Sequence, residues 1–338
     1  MNLVTKSALA FAISASALFA EPSGLRNLTL HAPHHGRDLK GVIHYPATAS
    51  GTVEKYADNP VFVGMEVAKD AGIAEGQFPL VLLSHGLGGH ARSLGWLATD
   101  LAQNGAIVIA VNHPNSTWGD FDLAAGLDHW TRPQDLSLAL DHILADPDFS
   151  GKIDMSRIMA AGFSYGGWTA LSLGGIRGHH AAYVDHCKTY GAASSHCADL
   201  LKNNVTLASA AAQEWDALYK DARVTAAFAV DPGIIWGMGA EQVADLTPEV
   251  TLVSLGAGEN RLLATDFDLA KLPEALPHAE VISIPSAAHF SMMPICKPIG
   301  EALLLEEGDD PVCTDPEGAD RAAAHQIVLK ALHAKLGL

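Results

Sequence analysis

The chain is poor in charge, in aromatic residues and in cysteine. Lys and Arg total 21 of 338 residues, against 38 Asp and Glu, for a formal net charge of −17. So few basic residues argue against nucleic acid or an anionic membrane surface as a partner. Charged residues make up 17% and hydrophobic residues 49%. That balance supplies a large core and leaves little room for disorder. No stretch beyond the N-terminus is long and apolar enough to span a bilayer, and there is no internal repeat. The length suits one large α/β domain with insertions, or two small domains.

The one marked apolar run opens the chain. Residues 1–20 read MNLVTKSALAFAISASALFA, with Lys6 ahead of a run from Ala8 to about Phe19 and a polar start at Glu21-Pro22. The run is too short to span and has the layout of a secretory signal peptide, with cleavage after Ala17 or after Ala20. No cysteine follows it, so lipid attachment there lacks an acceptor. An exported, periplasmic or secreted protein is the expectation, with residues 21–338 as its folded domain. The four cysteines are Cys187, Cys197, Cys296 and Cys313. An even count in an exported chain favours two disulfides. Three pairings are open, and Cys187–Cys197 with Cys296–Cys313 closes the shortest loops. The rival is a metal site among His179, His180, Asp185, His186, Cys187, His196 and Cys197. Those spacings match no zinc pattern, so no metal is expected.

Apolar runs at Phe78–Ser84, Ala106–Asn112 and Arg157–Phe163 predict buried strands. Helices are predicted over Leu94–Gln103 and Pro133–Ala145, the latter with Asp135 and Asp141 on its polar face. An N-terminal hairpin joins Leu28–Leu30 to Val42–Tyr45 through a turn at His34–Arg37. Residues 48–77 read as a long loop or small excursion. A mostly helical insertion is expected at about 178–222, with an alanine-rich helical stretch from Val205 to Tyr219. Strands resume at Val224–Val230, Val250–Leu255 and Glu280–Ile284, and a last helix runs from about Ala319 to Leu336. Strands alternating with helices imply a mainly parallel sheet covered on both faces.

Chemistry concentrates in Gly162-Phe163-Ser164-Tyr165-Gly166, between a predicted strand and a predicted helix. A serine at the tip of a sharp strand–helix turn presents its hydroxyl clear of the sheet, and glycines two residues away relieve the crowding. Ser164 is the candidate nucleophile. A hydroxyl needs a base, and the base needs a third group to hold its tautomer. In this fold class the chain order is serine, acid, histidine. His289, in the small-residue turn Ser286-Ala287-Ala288-His289 after the last strand, is the candidate base. Two acids compete, Asp231 after Ala226–Val230 and Glu259 after Val250–Leu255. Both sit at the carboxyl edge of the sheet. The loop Ser84-His85-Gly86-Leu87-Gly88-Gly89 follows a strand, and its glycines let a backbone N–H face a developing oxyanion. The expected donors are the amides of Leu87 and Tyr165, with His85 orienting backbone. Trp118, Trp236, Met238, Phe290, Met292 and Met293 are candidates for an acyl pocket.

Taken together, SHGLGG, GFSYGG, AAFAVDPGIIWGMG and SAAHFSMM resemble the secreted α/β-hydrolases related to platelet-activating-factor acetylhydrolase. Bacterial members of that group are often labelled predicted dienelactone hydrolases. The segment Arg132-Pro133-Gln134-Asp135 and the tail Cys296…Cys313…Asp320-Arg321…His325 resemble the bacterial branch. The resemblance spans about residues 26–338 and is weakest at 48–77 and 178–222. It implies an α/β-hydrolase fold and a serine esterase without a cofactor. A small-molecule ester would be its substrate, with short-chain acyl or phospholipid-acetyl esters as examples, and no protein partner is implied. It also favours Asp231 over Glu259 as the acid. True dienelactone hydrolases use cysteine where this chain has Ser164. The long insertion between Ser164 and Asp231 departs from the family pattern and is expected to cap the substrate site. An amidase or peptidase on the same residues, or a non-catalytic binding protein of the same fold, are the alternatives.

Overall fold

The apolar runs form the middle of one ten-stranded sheet, seen in a computed structural model that describes residues 22–338. The expected signal sequence and its cleavage sites lie outside the described residues. In chain order the strands are β1 (Ser23–Ala32), β2 (Arg37–Tyr45), β3 (Thr52–Tyr56), β4 (Met65–Lys69), β5 (Phe78–Ser84), β6 (Ile107–Asn112), β7 (Ile153–Phe163), β8 (Ala226–Val230), β9 (Glu249–Leu255) and β10 (Glu280–Ile284). Across the sheet they run β10-β9-β8-β7-β5-β6-β2-β1-β4-β3. The strands from β10 to β6 in that order are parallel. The β1–β2 hairpin then joins antiparallel through β2.

The helices of eight residues or more are α1 (Gly95–Gln103), α2 (Thr131–Ala145), α3 (Tyr165–Gly174), α4 (His180–Tyr190), α5 (Ser195–Lys202), α6 (Gly300–Glu307) and α7 (Arg321–Leu336). Side chains alternate faces along a strand, and β5 shows the result. Val81 and Leu83 pack with Leu97 and Leu101 of α1 and Val328 and Leu332 of α7. Leu80 and Leu82 pack on the other face with Leu136, Leu140 and Ile143 of α2. A parallel sheet buried on both faces explains the near-continuous apolar runs of its central strands.

Three expectations need correction. Residues 48–77 are not merely a loop, because β3 and β4 form an antiparallel pair that extends the sheet. The mostly exposed Thr52–Tyr56 gave no apolar signal. The stretch from Val205 to Tyr219 is not one helix. It holds a 3₁₀ turn at Leu207–Ser209 and a single helical turn at Ala212–Trp215. Alanine favours helix only weakly, and short isolated helices are marginal. Here the fully buried Trp215 anchors the chain instead. Finally, Asp135 is not on a polar face but completely buried. The rest of the insertion is helical, as α4 and α5. It packs through Tyr183, Leu200 and Trp215 onto Trp168 of α3 and onto Trp236 beyond β8.

Candidate active site

β7 ends at Phe163 and α3 begins at Tyr165, so Ser164 alone makes the turn. Its backbone sits at φ 58°, ψ −120°, a conformation that L-residues rarely hold. The turn is pinned by Ser164 N–H donating to Val230 O at 2.8 Å. A Cβ at Gly162 would collide with the Gly166 carbonyl, and one at Gly166 would collide with the Ser84 carbonyl. The flanking glycines therefore let the turn lie directly on the end of β5.

Two loops from the same sheet edge meet this serine. His289 Nε2 lies 3.0 Å from Ser164 Oγ, and His289 Nδ1 lies 2.6 Å from Asp231 Oδ2. An ionised carboxylate can only accept, so Nδ1 carries the proton and Nε2 is left to accept from the serine. Asp231 is completely buried but well satisfied. Thr265 Oγ1 donates to Oδ2 at 2.8 Å, Leu255 N–H donates to Oδ1 at 3.1 Å, and the Arg261 guanidinium lies 3.6 Å from Oδ1. Glu259 is exposed in a short turn, Gly258–Asn260, and is not part of this line. Of the two competing acids, the structure brings Asp231 to the histidine.

The loop after β5 closes the other side. A Cβ added to Gly86 would stand 3.3 Å from the Ser164 Cβ, so this loop abuts the serine. Tyr165 is the first residue of α3, and a helix provides no acceptor for its first amides. Among the described residues the Leu87 N–H also has no backbone acceptor. His85 does orient backbone. Its Nδ1 donates to Gly86 O at 2.7 Å, while Nε2 accepts from His113 N–H at 3.2 Å and pairs with Thr117 Oγ1 at 3.0 Å. Burial, helped by the nearby Arg132 charge, keeps its pKa well below the ordinary value, so it is neutral.

Sequence reasoning assigned no role to the group beneath this loop. Arg132 of α2 is buried, and its guanidinium donates to Ser84 Oγ at 3.1 Å, to His85 O, to Ser116 Oγ at 2.6 Å and to Thr169 Oγ1 at 2.9 Å. It also lies 4.5 Å from the centre of the Tyr165 ring. Burial pushes its pKa down to about 10, which still leaves it charged at neutral pH. One side chain thus grips both the β5 loop and α3. Beside it, Ser84 Oγ pairs with His113 Nε2 at 2.9 Å, and His113 Nδ1 with Asp135 Oδ2 at 2.8 Å. His34 and His35 donate to the other oxygen of Asp135 at 2.7 and 3.0 Å. Burial alone would raise the Asp135 pKa. The three imidazole hydrogen bonds outweigh it and hold the carboxyl far below its ordinary range. The only sequence signal was the Arg132…Asp135 spacing within the family resemblance.

Both local cysteine pairs are bonded, Cys187–Cys197 and Cys296–Cys313. The first ties α4 to α5. The second ties the segment after His289 to the loop before α7. That segment is braced further. Trp96 Nε1 donates to Met292 O at 3.1 Å, His325 Nε2 to Ser291 O at 2.9 Å, and Arg321 to Pro294 O at 3.0 Å. The other members of the suspected metal segment have partners elsewhere. His179 reaches Gly237 O, His180 reaches Leu207 O, His186 reaches Ser194, His196 reaches Tyr183, and Asp185 reaches Lys188. Among the acyl-pocket candidates, Met292 is buried in the core with α1 and α7, Trp236 and Met238 are buried under the insertion, and Trp118 is exposed.

The sequence profile of platelet-activating factor acetylhydrolase, isoform II, matches residues 62–118, which include β5 and the glycine loop after it. A ferulic acid esterase from Streptomyces cinnamoneus superposes with a TM-score of 0.58 at 18% identity, over 96% of this chain and 91% of that one. The chain has the α/β-hydrolase fold, and its residues 62–118 are similar to the platelet-activating-factor acetylhydrolase family. A second solved structure of similar fold is a dienelactone hydrolase-like promiscuous phosphotriesterase, P91, from metagenomic libraries. It matches with a TM-score of 0.51 at 15% identity, over 92% of this chain and 98% of that chain. Lipase 1 of Moraxella sp. (strain TA144) is 30% identical over 155 residues, which is 45% of this chain and 39% of the lipase. The matched region thus spans about two fifths of that relative. Among the described residues no helix is long and apolar enough to cross a membrane.

Proposed function

We propose that the protein is an exported serine hydrolase that cleaves carboxylic esters through an acyl-enzyme, with no cofactor. The observation that carries this reading is the line from Asp231 through His289 to Ser164, 2.6 and 3.0 Å, with the serine held on a strained turn beside the β5 loop. In the proposed cycle Ser164 Oγ attacks the ester carbonyl carbon and His289 Nε2 takes its proton. Asp231 stays ionised and steadies the imidazolium. The amides of Leu87 and Tyr165 receive the developing oxyanion. As the tetrahedral intermediate collapses, the C–O bond to the alcohol breaks and His289 returns the proton to the leaving oxygen. Water then releases the acyl group by the same steps. The profile match and the ester-cleaving names of the lipase and ferulic acid esterase relatives support ester chemistry. Short-chain acyl or phospholipid-acetyl esters are the proposed substrates. Two disulfides support an oxidising compartment.

In this reading the insertion at 178–222 is a cap. Its Trp215 and Tyr183 pack with Trp236, on the loop that leaves Asp231. The test is labelling by a fluorophosphonate, mapped to Ser164, followed by turnover of p-nitrophenyl esters of increasing chain length. Shortening the insertion in a folded variant should shift the chain-length preference and leave labelling intact. Absence of label at Ser164 in folded protein would remove the reading.

A further inference from the structure

The β1–β2 turn carries two adjacent histidines whose side chains converge on one atom. Hydrogen bonds from His35 N–H to Ala32 O at 3.0 Å and from Gly36 N–H to Pro33 O at 3.1 Å fold the turn, with Gly36 at φ 63°. Both imidazoles then reach the first half of α2, where Nε2 of His34 and of His35 lie 2.7 and 3.0 Å from the same Asp135 oxygen. The three ligand-type atoms all lie within 4.8 Å of one another. The rings are 4.4 Å apart and tilted by 45°.

We propose that His34 Nε2, His35 Nε2 and Asp135 Oδ1 form a binding site for one divalent transition metal of the zinc type. Two imidazoles and a carboxylate with an open fourth position are a donor set that zinc accepts at about 2.0–2.2 Å. Atoms around a tetrahedral ion of that radius stand about 3.3 Å apart. His34 Nε2 and His35 Nε2, at 2.7 and 3.0 Å from Oδ1, would each move outward by about 0.3–0.6 Å to reach that spacing. His34, with 22% of its side chain exposed, sits on a turn that can yield, whereas Asp135 is fully enclosed. The carboxylate is held from behind, because His113 Nδ1 lies 2.8 Å from Oδ2. Partners of that kind fix a ligand's orientation and strengthen metal affinity. His34 also lines a surface recess of about 310 Å³, together with Pro133, Gln134, Ser137, Asp141 and Tyr219. On binding, the metal takes the place of the Nε2–H of each imidazole, and the proton that each ring keeps sits on Nδ1. This site is independent of the esterase reading.

The experiment uses tag-free, disulfide-intact protein stripped with a chelator and titrated with Co²⁺, followed by displacement with Zn²⁺. One equivalent should bind with a visible d–d band that zinc removes. His34→Gln alone, a surface change, should weaken binding by about tenfold or more. The double variant His34→Gln/His35→Gln should abolish it while thermal melting still shows a folded protein. His278→Ala, an exposed histidine elsewhere, should bind as the parent does. Absence of saturable one-equivalent binding, survival of binding in the double variant, or its loss in His278→Ala would each overturn the proposal. The cluster would then be a hydrogen-bonded brace.

Discussion

Ser164, His289 and Asp231 stand in line at 3.0 and 2.6 Å, and Ser84, His113 and Asp135 stand in line at 2.9 and 2.8 Å. By distance alone the two rows are alike. Their surroundings are opposite. Ser164 is half-buried on a turn with φ 58°, next to a glycine loop. Ser84 is fully buried at the end of a strand, and its oxygen already accepts from Arg132. His113 is fully buried, and burial with the Arg132 charge pushes its pKa down to about 4. The second row has no side from which an ester could enter and no free position for an oxyanion. Hydrogen-bond geometry is therefore the weaker part of a catalytic argument. Access, backbone strain and idle amide donors separate the row proposed to react from the one that can only hold.

The sharpest test sets the two serines against each other. Ser164→Ala should lower kcat/KM on a p-nitrophenyl ester by about 10⁴ to 10⁶. Ser84→Ala should cost less than about tenfold in rate, but about 1–3 kcal/mol in unfolding free energy, because Arg132 and His113 each lose a buried partner. Similar rate losses in both variants would break the comparison. The acids come next. Asp231→Asn should slow turnover by about 10⁴ by favouring the wrong tautomer, whereas Glu259→Gln should change little. The reverse ranking would place the acid on the later strand.

Arg132 belongs to the closed row yet touches both elements that carry the proposed oxyanion donors. Arg132→Met should lower kcat by about 10- to 100-fold with a smaller change in KM, and Arg132→Lys should recover part of it. A loss of stability with kcat untouched would confine Arg132 to packing. A separate effect is on acid stability. Burial pushes the pKa of His44 and of His129 down to about 3. In the unfolded chain each titrates near 6.5, so between about pH 6.5 and 3 the unfolded state binds the extra proton. Stability should thus fall as pH drops through that window, by at most about 1.4 kcal/mol per pH unit for each histidine. Urea midpoints across that range check the slope, and His129→Asn should flatten it.

The open row was readable from the sequence because each member sits at a local signal. Gly162 and Gly166 flank Ser164, His289 follows the last strand in a small-residue turn, and Asp231 ends β8. Asp135 was placed on the solvent side of its helix because helical periodicity assigns charge outward. What buries it are His34 and His35, which lie 101 and 100 residues away in sequence. No local pattern carries that information. β3 was missed for a related reason, since a mostly exposed edge strand carries no apolar signature. The alanine-rich stretch misled in the other direction. Its composition favours helix, but Trp215 finds a buried seat that a continuous helix would not give it.

The bracing of the His289 segment sets an order of assembly. The contact between His289 and Ser164 spans 125 residues, Trp96 holds Met292 across 196, and Lys297 meets Asp58 across 239. Cys296 also pairs with Phe62 across the excursion before β5 and is bonded to Cys313. Contacts so distant in sequence form late. A growing chain that already displays Ser164 on its turn lacks the bracing of the His289 segment until Arg321 and His325 have been made and have docked. On the proposed function, competence to react would be the last property the molecule acquires. Turnover would then report that the whole fold has closed, not only that the serine turn has formed.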